Sequence, residues 1–295
     1  MWLSLRRIRE NEIKHFFEQT DWVAEVRTEE TVSTKVREQF VLDQSEPTPA
    51  VREVAAKAAG HMVDFLREFL GVVRWRTSVY GHHELIRCAA GAIEWSSDQT
   101  AWTPLALGLN AITSSELHAA MCTEPLFRQI ADMATKAEVE PIGHELLREA
   151  WNLRQSSPRS ALMLAVAALE VGVKDFVSRL VPQAEWLCFE VPSPPVVKML
   201  DLYLPTLPVK LRINDKVFIP NEILDTLKVA VLKRNEITHK GRKVRYTESL
   251  NEILTCVQMT LYFLDYYSGH QWALDNMRSA SVQELLRAEL GKGTV

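Results

Sequence analysis

Apolar residues recur every three or four positions along much of the chain, and this spacing predicts amphipathic helices. The first clear stripe runs from Val54 to Phe69 and is followed by Gly71, a residue that often ends a helix. Beyond residue 124 the same spacing dominates, and a capping box from Ser249 to Glu252 predicts a long helix that ends near Tyr267. The other predicted helices are Pro125–Ala134, Pro141–Gln155, Ser160–Leu180, Val196–Tyr203, Pro220–Thr238 and Ser281–Leu290.

Outside this stripe, the first 120 residues carry a different pattern, in which apolar and polar or β-branched residues alternate. The first twenty or so residues are expected to form a short helix, and Ser96–Gln99 a turn between two strands. Trp186–Pro195 is expected to be irregular or a small strand, and Pro205–Pro220 a loop. The predicted strands are Trp22–Val26, Thr31–Leu42, Val72–Thr77, Glu84–Trp95 and Trp102–Leu107.

These elements predict an α+β protein with two main parts. An N-terminal mixed module of unknown role is expected at 1–122 and a helical linker at 123–140. A helical domain follows at 141–268, with a C-terminal helical tail at 269–295.

Composition fits an ordinary folded protein, with 47% apolar and 24% charged residues among 295. The net charge of -4 argues against a strongly basic, sequence-indifferent nucleic-acid binder, although a local basic patch is compatible with it. Four widely spaced cysteines are expected to be free buried thiols in a reducing compartment. Because the sequence has neither a long apolar run nor a signal-peptide pattern, we expect a cytoplasmic protein without a membrane span.

One residue of the predicted helix Pro220–Thr238 conflicts with its surroundings. Arg234 lies one heptad after Leu227, in the middle of an apolar stripe. A guanidinium there is costly unless it is paired or faces a cavity. A polar amide, Asn235, follows directly, and His239 comes five positions after the arginine. Such a conflict between pattern and residue identity indicates where function is expected.

A series of short motifs resembles the HEPN superfamily, and within it the Apea-like and related C-terminal HEPN domains. The resemblance covers roughly residues 140–268 and implies an up-and-down helical bundle that is usually paired into a dimer. The motifs are Leu147-x-Glu149-Ala150, Arg159-Ser160-Ala161-Leu162, Ala168-Leu169-Glu170-x3-Lys174 and Arg234-Asn235-x3-His239-x-Gly241.

The resemblance implies metal-independent cleavage of RNA, with single-stranded RNA as the expected substrate and no cofactor. The 2′-hydroxyl attacks its own phosphate, which leaves a 2′,3′-cyclic phosphate and a 5′-hydroxyl and excludes DNA as a substrate. His239 would take or donate the proton. Arg234 would stabilise charge on the phosphoryl oxygens, and Asn235 would bind a phosphate oxygen or orient the histidine.

Further residues support this site in the prediction. Glu170 and Lys174 lie four positions apart on one predicted helix, and Glu170 is expected to hold Arg234 or Lys174 in place at the cleft. A basic edge next to the motif is expected to dock phosphates. Its members are Lys240, Arg242, Lys243 and Arg245.

Structural interpretations of the same residues stay open. Arg234 and Glu170 can form a buried ion pair, Glu170 and Lys174 a helix-stabilising pair, and His239 can interact with the C-terminal end of its own helix. The basic edge can equally be a solvated loop.

Two other features invite a functional interpretation. Trp75, between Arg74 and Arg76, is expected either in the core or stacked on a base. The pair His82-His83 has no acidic or cysteine partner at a metal-binding spacing, so we expect no metal site.

The leading hypothesis is a metal-independent endoribonuclease of HEPN type, a toxin or defence effector whose N-terminal module senses, recruits or restrains, with a regulatory protein as candidate partner. We expect it to act as a homodimer through the helical domain, because one chain offers no second histidine near Arg234 and His239. The alternative is a non-catalytic HEPN-like protein that dimerises and binds RNA or a nucleotide. A third possibility is a scaffold without a nucleic-acid role.

Overall fold

The computed structural model describes residues 2–5, 26–41, 48–78, 89–90, 93–101, 103–105, 110–111, 124–190, 195–240 and 248–277, which are mostly helical. The chain divides into two compact units. The first comprises Met1–Val73 and Glu84–Val139, and the second Arg74–His83 and Glu140–Val295. Each unit is described by itself below.

The first unit combines short strands with helices. Its strands are β1 (Trp2–Leu5), β2 (Val26–Glu29), β3 (Ala89–Ala90), β4 (Ile93–Ser96), β5 (Thr103–Leu105) and β6 (Asn110–Ala111). Its helices are α1 (Thr34–Val41), most of α2 (Pro49–Thr77) and α3 (Glu124–Thr135). An antiparallel sheet has the order β2-β1-β4-β5, and β3 pairs with β6.

Four predictions for this unit are confirmed, the first being the helix from Val54 to Phe69, which lies within α2. The strand at Trp102–Leu107 contains β5, and the helix at Pro125–Ala134 coincides with α3. The turn at Ser96–Gln99 is held by Asp98, whose carboxylate accepts hydrogen bonds from the backbone N–H groups of Thr100 and Ala101 at 2.9 and 3.4 Å. These bonds lower the pKa of Asp98 to about 2.

The strand predicted at Thr31–Leu42 is wrong, since Thr34–Val41 forms the helix α1. The hydroxyl of Ser33 accepts a hydrogen bond from the backbone N–H of Val36 at 3.4 Å, as an N-terminal cap does. Behind this cap follow lysine, arginine, glutamate and glutamine, which are good helix formers. The helix expected for the first twenty residues is wrong at 2–5, which form β1, and otherwise lies outside the described residues.

The strand predicted at Val72–Thr77 is also wrong, because α2 continues through Gly71 to Thr77. Alternating apolar and arginine residues suggested a half-buried strand, but Arg74, Trp75 and Arg76 are all buried, with at most 8% of their surface exposed. The guanidinium of Arg76 stacks over the ring of Trp272, 5.1 Å from its centroid. The partners of these arginines lie far along the chain. The local sequence therefore has the alternating pattern of a strand with one exposed face, although the side chains are buried.

The second unit is mostly helical in its described parts, and a loop at 207–220 is the only irregular stretch of that length among them. The unit contains α4 (Ile142–Leu153), α5 (Pro158–Leu180), α6 (Glu185–Glu190), α7 (Val196–Lys198), α8 (Asn221–Lys240), α9 (Glu248–Tyr267) and α10 (Ala273–Asn276). A π-helical turn, Met199–Tyr203, follows α7. The helices predicted at Pro141–Gln155, Ser160–Leu180, Val196–Tyr203 and Pro220–Thr238, and the one ending near Tyr267, are confirmed. Glu185–Glu190 is helical rather than irregular, and the helix predicted at Ser281–Leu290 lies outside the described part of the chain.

Helix α5 lies in the core of this unit, as its nearly continuous apolar sequence predicts. Ala165, Val166 and Leu169 have no exposed surface. Helix α4 approaches α5 closely at two glycines, where the Cα of Gly172 lies 3.1 Å from the position a Cβ would take on Gly143. From α9, Leu254, Val257 and Phe263 are fully buried. No helix among the described residues combines the length and apolar character needed to cross a bilayer.

Candidate functional site

Helix α8 carries the predicted motif in its last two turns. The helix starts after Pro220, whose carbonyl oxygen accepts hydrogen bonds from the N–H groups of Ile223 and Leu224 at 3.0 and 3.1 Å. One side of the helix is buried through its apolar residues. They are Ile223, Leu224, Leu227, Ala230 and Ile237. This buried stripe fixes how the helix is rotated, and therefore which motif residues face the bundle.

Arg234 faces the bundle and forms an ion pair with Glu170 of α5. Both side chains are only 18% exposed. The pair explains how a guanidinium is tolerated within an apolar stripe, since the opposite charge compensates for the lost hydration. The structure therefore shows one of the two contacts that the sequence analysis expected for Glu170, the one with Arg234.

The turn around Arg234 is tied to α5 a second time. The hydroxyl of Thr238 donates to the backbone oxygen of Arg234 at 3.0 Å, and its oxygen lies 3.9 Å from the sulfur of Met163. The last turn of α8 is thus positioned against α5 by one ion pair and one weaker contact.

His239 is exposed and lies on another side of the helix. Five residues of α-helix turn the chain by about 140° relative to Arg234 and advance it by about 7.5 Å. Asn235, four residues before His239, lies on the same side as the histidine and is half-buried. Within one chain, the motif therefore has an inner residue, Arg234, and an outer pair, Asn235 and His239.

The remaining predicted site residues are less closely connected to this arrangement. Lys240 is exposed at the end of α8, whereas Arg242, Lys243 and Arg245 lie outside the described residues. Lys174 of α5 is half-buried and lies near Cys188. Burial raises the pKa of the Cys188 thiol, and the charge of Lys174 counteracts this rise.

The outer face of α8 has apolar residues that the sequence analysis missed. Val229 is 45% exposed and Leu232 63% exposed. Leu232 precedes His239 by seven residues, two helical turns, so both point in nearly the same direction. The sequence contained this information, because a helical projection that starts from the buried stripe places Val229 and Leu232 on the outer side of the helix.

A buried polar cluster lies elsewhere in the second unit. One carboxylate oxygen of Asp265, on α9, accepts a hydrogen bond from the indole N–H of Trp75 at 2.8 Å and lies 2.8 Å from the Nε2 atom of His144. The hydroxyl of Tyr262 donates to the backbone oxygen of Trp75 at 3.0 Å. Trp75 is 2% exposed, which confirms the expectation that it lies in the core and removes the alternative that it stacks on a base.

Three more charged residues lie beside this cluster. Arg148 pairs with Glu140, and burial raises the pKa of that carboxyl while Arg148 lowers it in part. Burial also lowers the pKa of Arg74 to about 10, helped by the nearby Arg148 and opposed by Glu140. A cavity of about 20 Å³ between these side chains has room for about one water molecule. The cluster resembles acid–base machinery in residue type, but no substrate fits there, so we assign it a structural role.

No family model matches the chain, and neither a curated protein nor a solved structure is significantly similar to it. Among the residues the structure describes, no group of three or more histidine, cysteine, aspartate or glutamate side chains is arranged to hold a metal ion.

Proposed function

We propose that this chain is a metal-independent endoribonuclease of HEPN type, a toxin or defence effector that leaves 2′,3′-cyclic phosphate ends on single-stranded RNA. The proposal includes a HEPN-like up-and-down bundle at 141–268 behind an N-terminal α+β module that senses, recruits or restrains. One observation carries it: the last two turns of α8 hold a half-buried arginine, fixed by a carboxylate, and an exposed histidine.

The roles follow from these positions. His239 is exposed, and imidazole is the side chain best suited to exchange protons near neutral pH. Arg234 has five N–H donors in a planar fork, and the contact with Glu170 involves one of its terminal nitrogens. The remaining donors suit the charge that develops on the phosphoryl oxygens. Glu170 acts as a positioning residue that fixes the guanidinium.

The angle of about 140° between Arg234 and His239 favours a site completed by two chains. Val229 and Leu232 give the outer face of α8 an apolar surface beside His239. If a second copy covers this face around a two-fold axis, each His239 approaches the motif of the other copy. Such an interface has to bury about 1,200 Å² or more in total to be stable.

Cleavage of single-stranded RNA in EDTA tests the proposal. We expect fragments with 2′,3′-cyclic phosphate and 5′-hydroxyl ends from RNA, no cleavage of the same sequence as DNA, and a loss of about 10²–10⁴-fold in the variant His239→Ala. His61→Ala is the matched control, since His61 is also largely exposed but lies in the first unit. Unchanged cleavage by His239→Ala, or activity that requires a metal, contradicts the proposal.

A non-catalytic dimer that binds RNA or a nucleotide is the second candidate. The observation that favours it is the Arg234–Glu170 pair, because the carboxylate already compensates the charge that a phosphate would use. This candidate predicts saturable RNA binding without cleavage, weakened when Lys240 is replaced by glutamine. RNA affinity without any cyclic-phosphate product distinguishes it from the ribonuclease.

A further inference from the structure

A cavity of about 550 Å³ lies where the loop before α8 meets the first turn of that helix. Ligand sites in proteins commonly have volumes of about 300–1,000 Å³ and mostly apolar linings with a few polar groups. Leu200, Val217 and Leu224 line this cavity, and each is at most 6% exposed. The cavity therefore has the size and the apolar floor of a small-molecule site.

Hydrogen bonds to α9 hold the cavity wall in place. The hydroxyl of Tyr267 donates to the backbone oxygen of Phe218 at 2.7 Å and accepts from the Phe218 N–H at 3.0 Å. The backbone N–H of Lys210 donates to the backbone oxygen of Tyr267 at 2.9 Å. The hydroxyl of Tyr266 donates to the backbone oxygen of Arg212 at 3.1 Å. Because these bonds fix the loop at several points, the cavity is formed before any ligand arrives, which lowers the entropic cost of binding.

The rim of the cavity carries charges of both signs, but they are unevenly distributed. Asp201 lies near Lys228, whose pKa is raised first by a hydrogen bond with Asp225 and further by Asp201. Lys228 is paired mainly with Asp225, so Asp201 keeps a negative charge in the lining. Arg212 and Lys216, which come directly before and at the end of the short turn Ile213–Lys216, also line the cavity, together with the carboxylate of Asp215. This turn therefore gives the lining one more positive than negative charge.

We propose that this cavity binds a small molecule with a flat apolar body and one anionic group, either a carboxylate or a phosphate. The body packs on Leu200, Val217 and Leu224, and the anion pairs with Arg212 and Lys216. The site is separate from the residues proposed for RNA cleavage. Its failure would leave that proposal untouched.

A matched pair of fluorescent probes tests this site on the full chain. 1-Anilinonaphthalene-8-sulfonate has an apolar body and an anion, and N-phenyl-1-naphthylamine has the same body without charge. We expect the anionic probe to bind at one saturable site and more tightly than the neutral one. Arg212→Gln should weaken its binding about tenfold, because a hydrogen-bonded charge partner is lost.

Two further variants test whether the charge of the cavity lining sets the affinity for the anionic probe. Asp215→Asn should strengthen binding of the anionic probe, since it removes the competing carboxylate, and asparagine also tolerates the positive φ of 61° at this position. Lys198→Gln is the control, because Lys198 is exposed on α7 and does not line the cavity. Equal affinity of both probes, or an equal loss in Arg212→Gln and Lys198→Gln, overturns the proposal.

Competition then distinguishes the two anions. Displacement of the bound probe by 1-naphthyl phosphate but not by 1-naphthoate assigns a phosphate ligand, and the reverse assigns a carboxylate. Displacement by neither compound counts against the site.

Discussion

The guanidinium of Arg234 on α8 is paired with the carboxylate of Glu170 on α5, 64 residues earlier in the chain. Both side chains are 18% exposed, so water screens the pair only in part. The pair connects the helix that carries the histidine to the central helix of the bundle. Its energetic role is therefore measurable apart from any catalytic role.

We predict an interaction energy of about 1–3 kcal/mol between Glu170 and Arg234 in a double-mutant cycle with Glu170→Gln and Arg234→Met. Urea unfolding of the four proteins gives the value. The pair Asp225–Lys228 on α8 is the control, since its side chains are 71% and 54% exposed and exposed pairs couple by about 0.5 kcal/mol or less. Equal coupling in both cycles would show that the Glu170–Arg234 pair is no stronger than a surface contact.

The buried cluster around Asp265 gives a second prediction. One carboxylate oxygen serves both Trp75 and His144, and Asp265 is 4% exposed. Asp265→Asn keeps one acceptor oxygen but removes the negative charge that strengthens both contacts, so we expect the free energy of unfolding to fall by about 2–4 kcal/mol. Urea titration followed by near-ultraviolet circular dichroism measures it.

Two observations control this prediction. Asp132→Asn should change stability by less than about 0.5 kcal/mol, because Asp132 is 61% exposed. Under native conditions Asp265→Asn should retain the RNA cleavage of the parent protein. Loss of cleavage in a folded Asp265→Asn variant contradicts the structural role assigned to the cluster.

Local periodicity predicted the helices of the second unit well, because their apolar stripes are regular and pack within one core. It failed at Val72–Thr77, where Arg74 and Arg76 look like an exposed face but are buried. Arg74 lies near Arg148 and Glu140, and Arg76 stacks on Trp272, all distant in sequence. No local pattern contains that information.

The candidate site was predictable only where local periodicity determines which side of a helix a residue occupies. The helical projection placed Arg234 on the apolar stripe of its helix, and the ion pair with Glu170 agrees with an inward orientation. The contact between His144 and Asp265 spans 121 residues and belongs to no motif, so the sequence offered no signal for it. The cavity before α8 depends on loop hydrogen bonds to Tyr267, which also connect distant positions.

The close approach of α4 and α5 gives a third prediction. A Cβ on Gly143 would lie 3.1 Å from both the backbone oxygen of Ala168 and the Cα of Gly172, whereas a Cβ on Gly60 in α2 would meet nothing within 4 Å. Backbone atoms cannot rotate away, so Gly143→Ala should destabilise the protein by about 1–3 kcal/mol.

Gly60→Ala is the matched substitution and should stabilise by about 0.5–1 kcal/mol, since alanine restricts the unfolded chain without a clash. Thermal unfolding of both variants checks the opposite signs. Equal changes in the two variants would show that the helices adjust freely at Gly143.

The outer face of α8 leads to a fourth prediction. Leu232→Glu places a charge among Val229, Leu232 and His239, where the proposed two-fold interface would bury it. We expect the proposed dimer to dissociate at micromolar concentration and the proposed RNA cleavage to fall with it, while circular dichroism stays unchanged. Light scattering measures assembly. Leu202→Glu is the control, since Leu202 is 68% exposed but lies on the π-helical turn and not on α8.

A mixing experiment tests whether the two chains complete one site. If Arg234 of one copy acts with His239 of the other, an equal mixture of Arg234→Ala and His239→Ala should recover about one quarter of the parent activity. Half of the dimers are then mixed, and each mixed dimer has one intact site of two. Adding Leu232→Glu to both chains should abolish the recovery, because the copies no longer associate. Full activity in a strictly monomeric protein contradicts the composite site. In that case, Arg234 and His239 of the same chain act together.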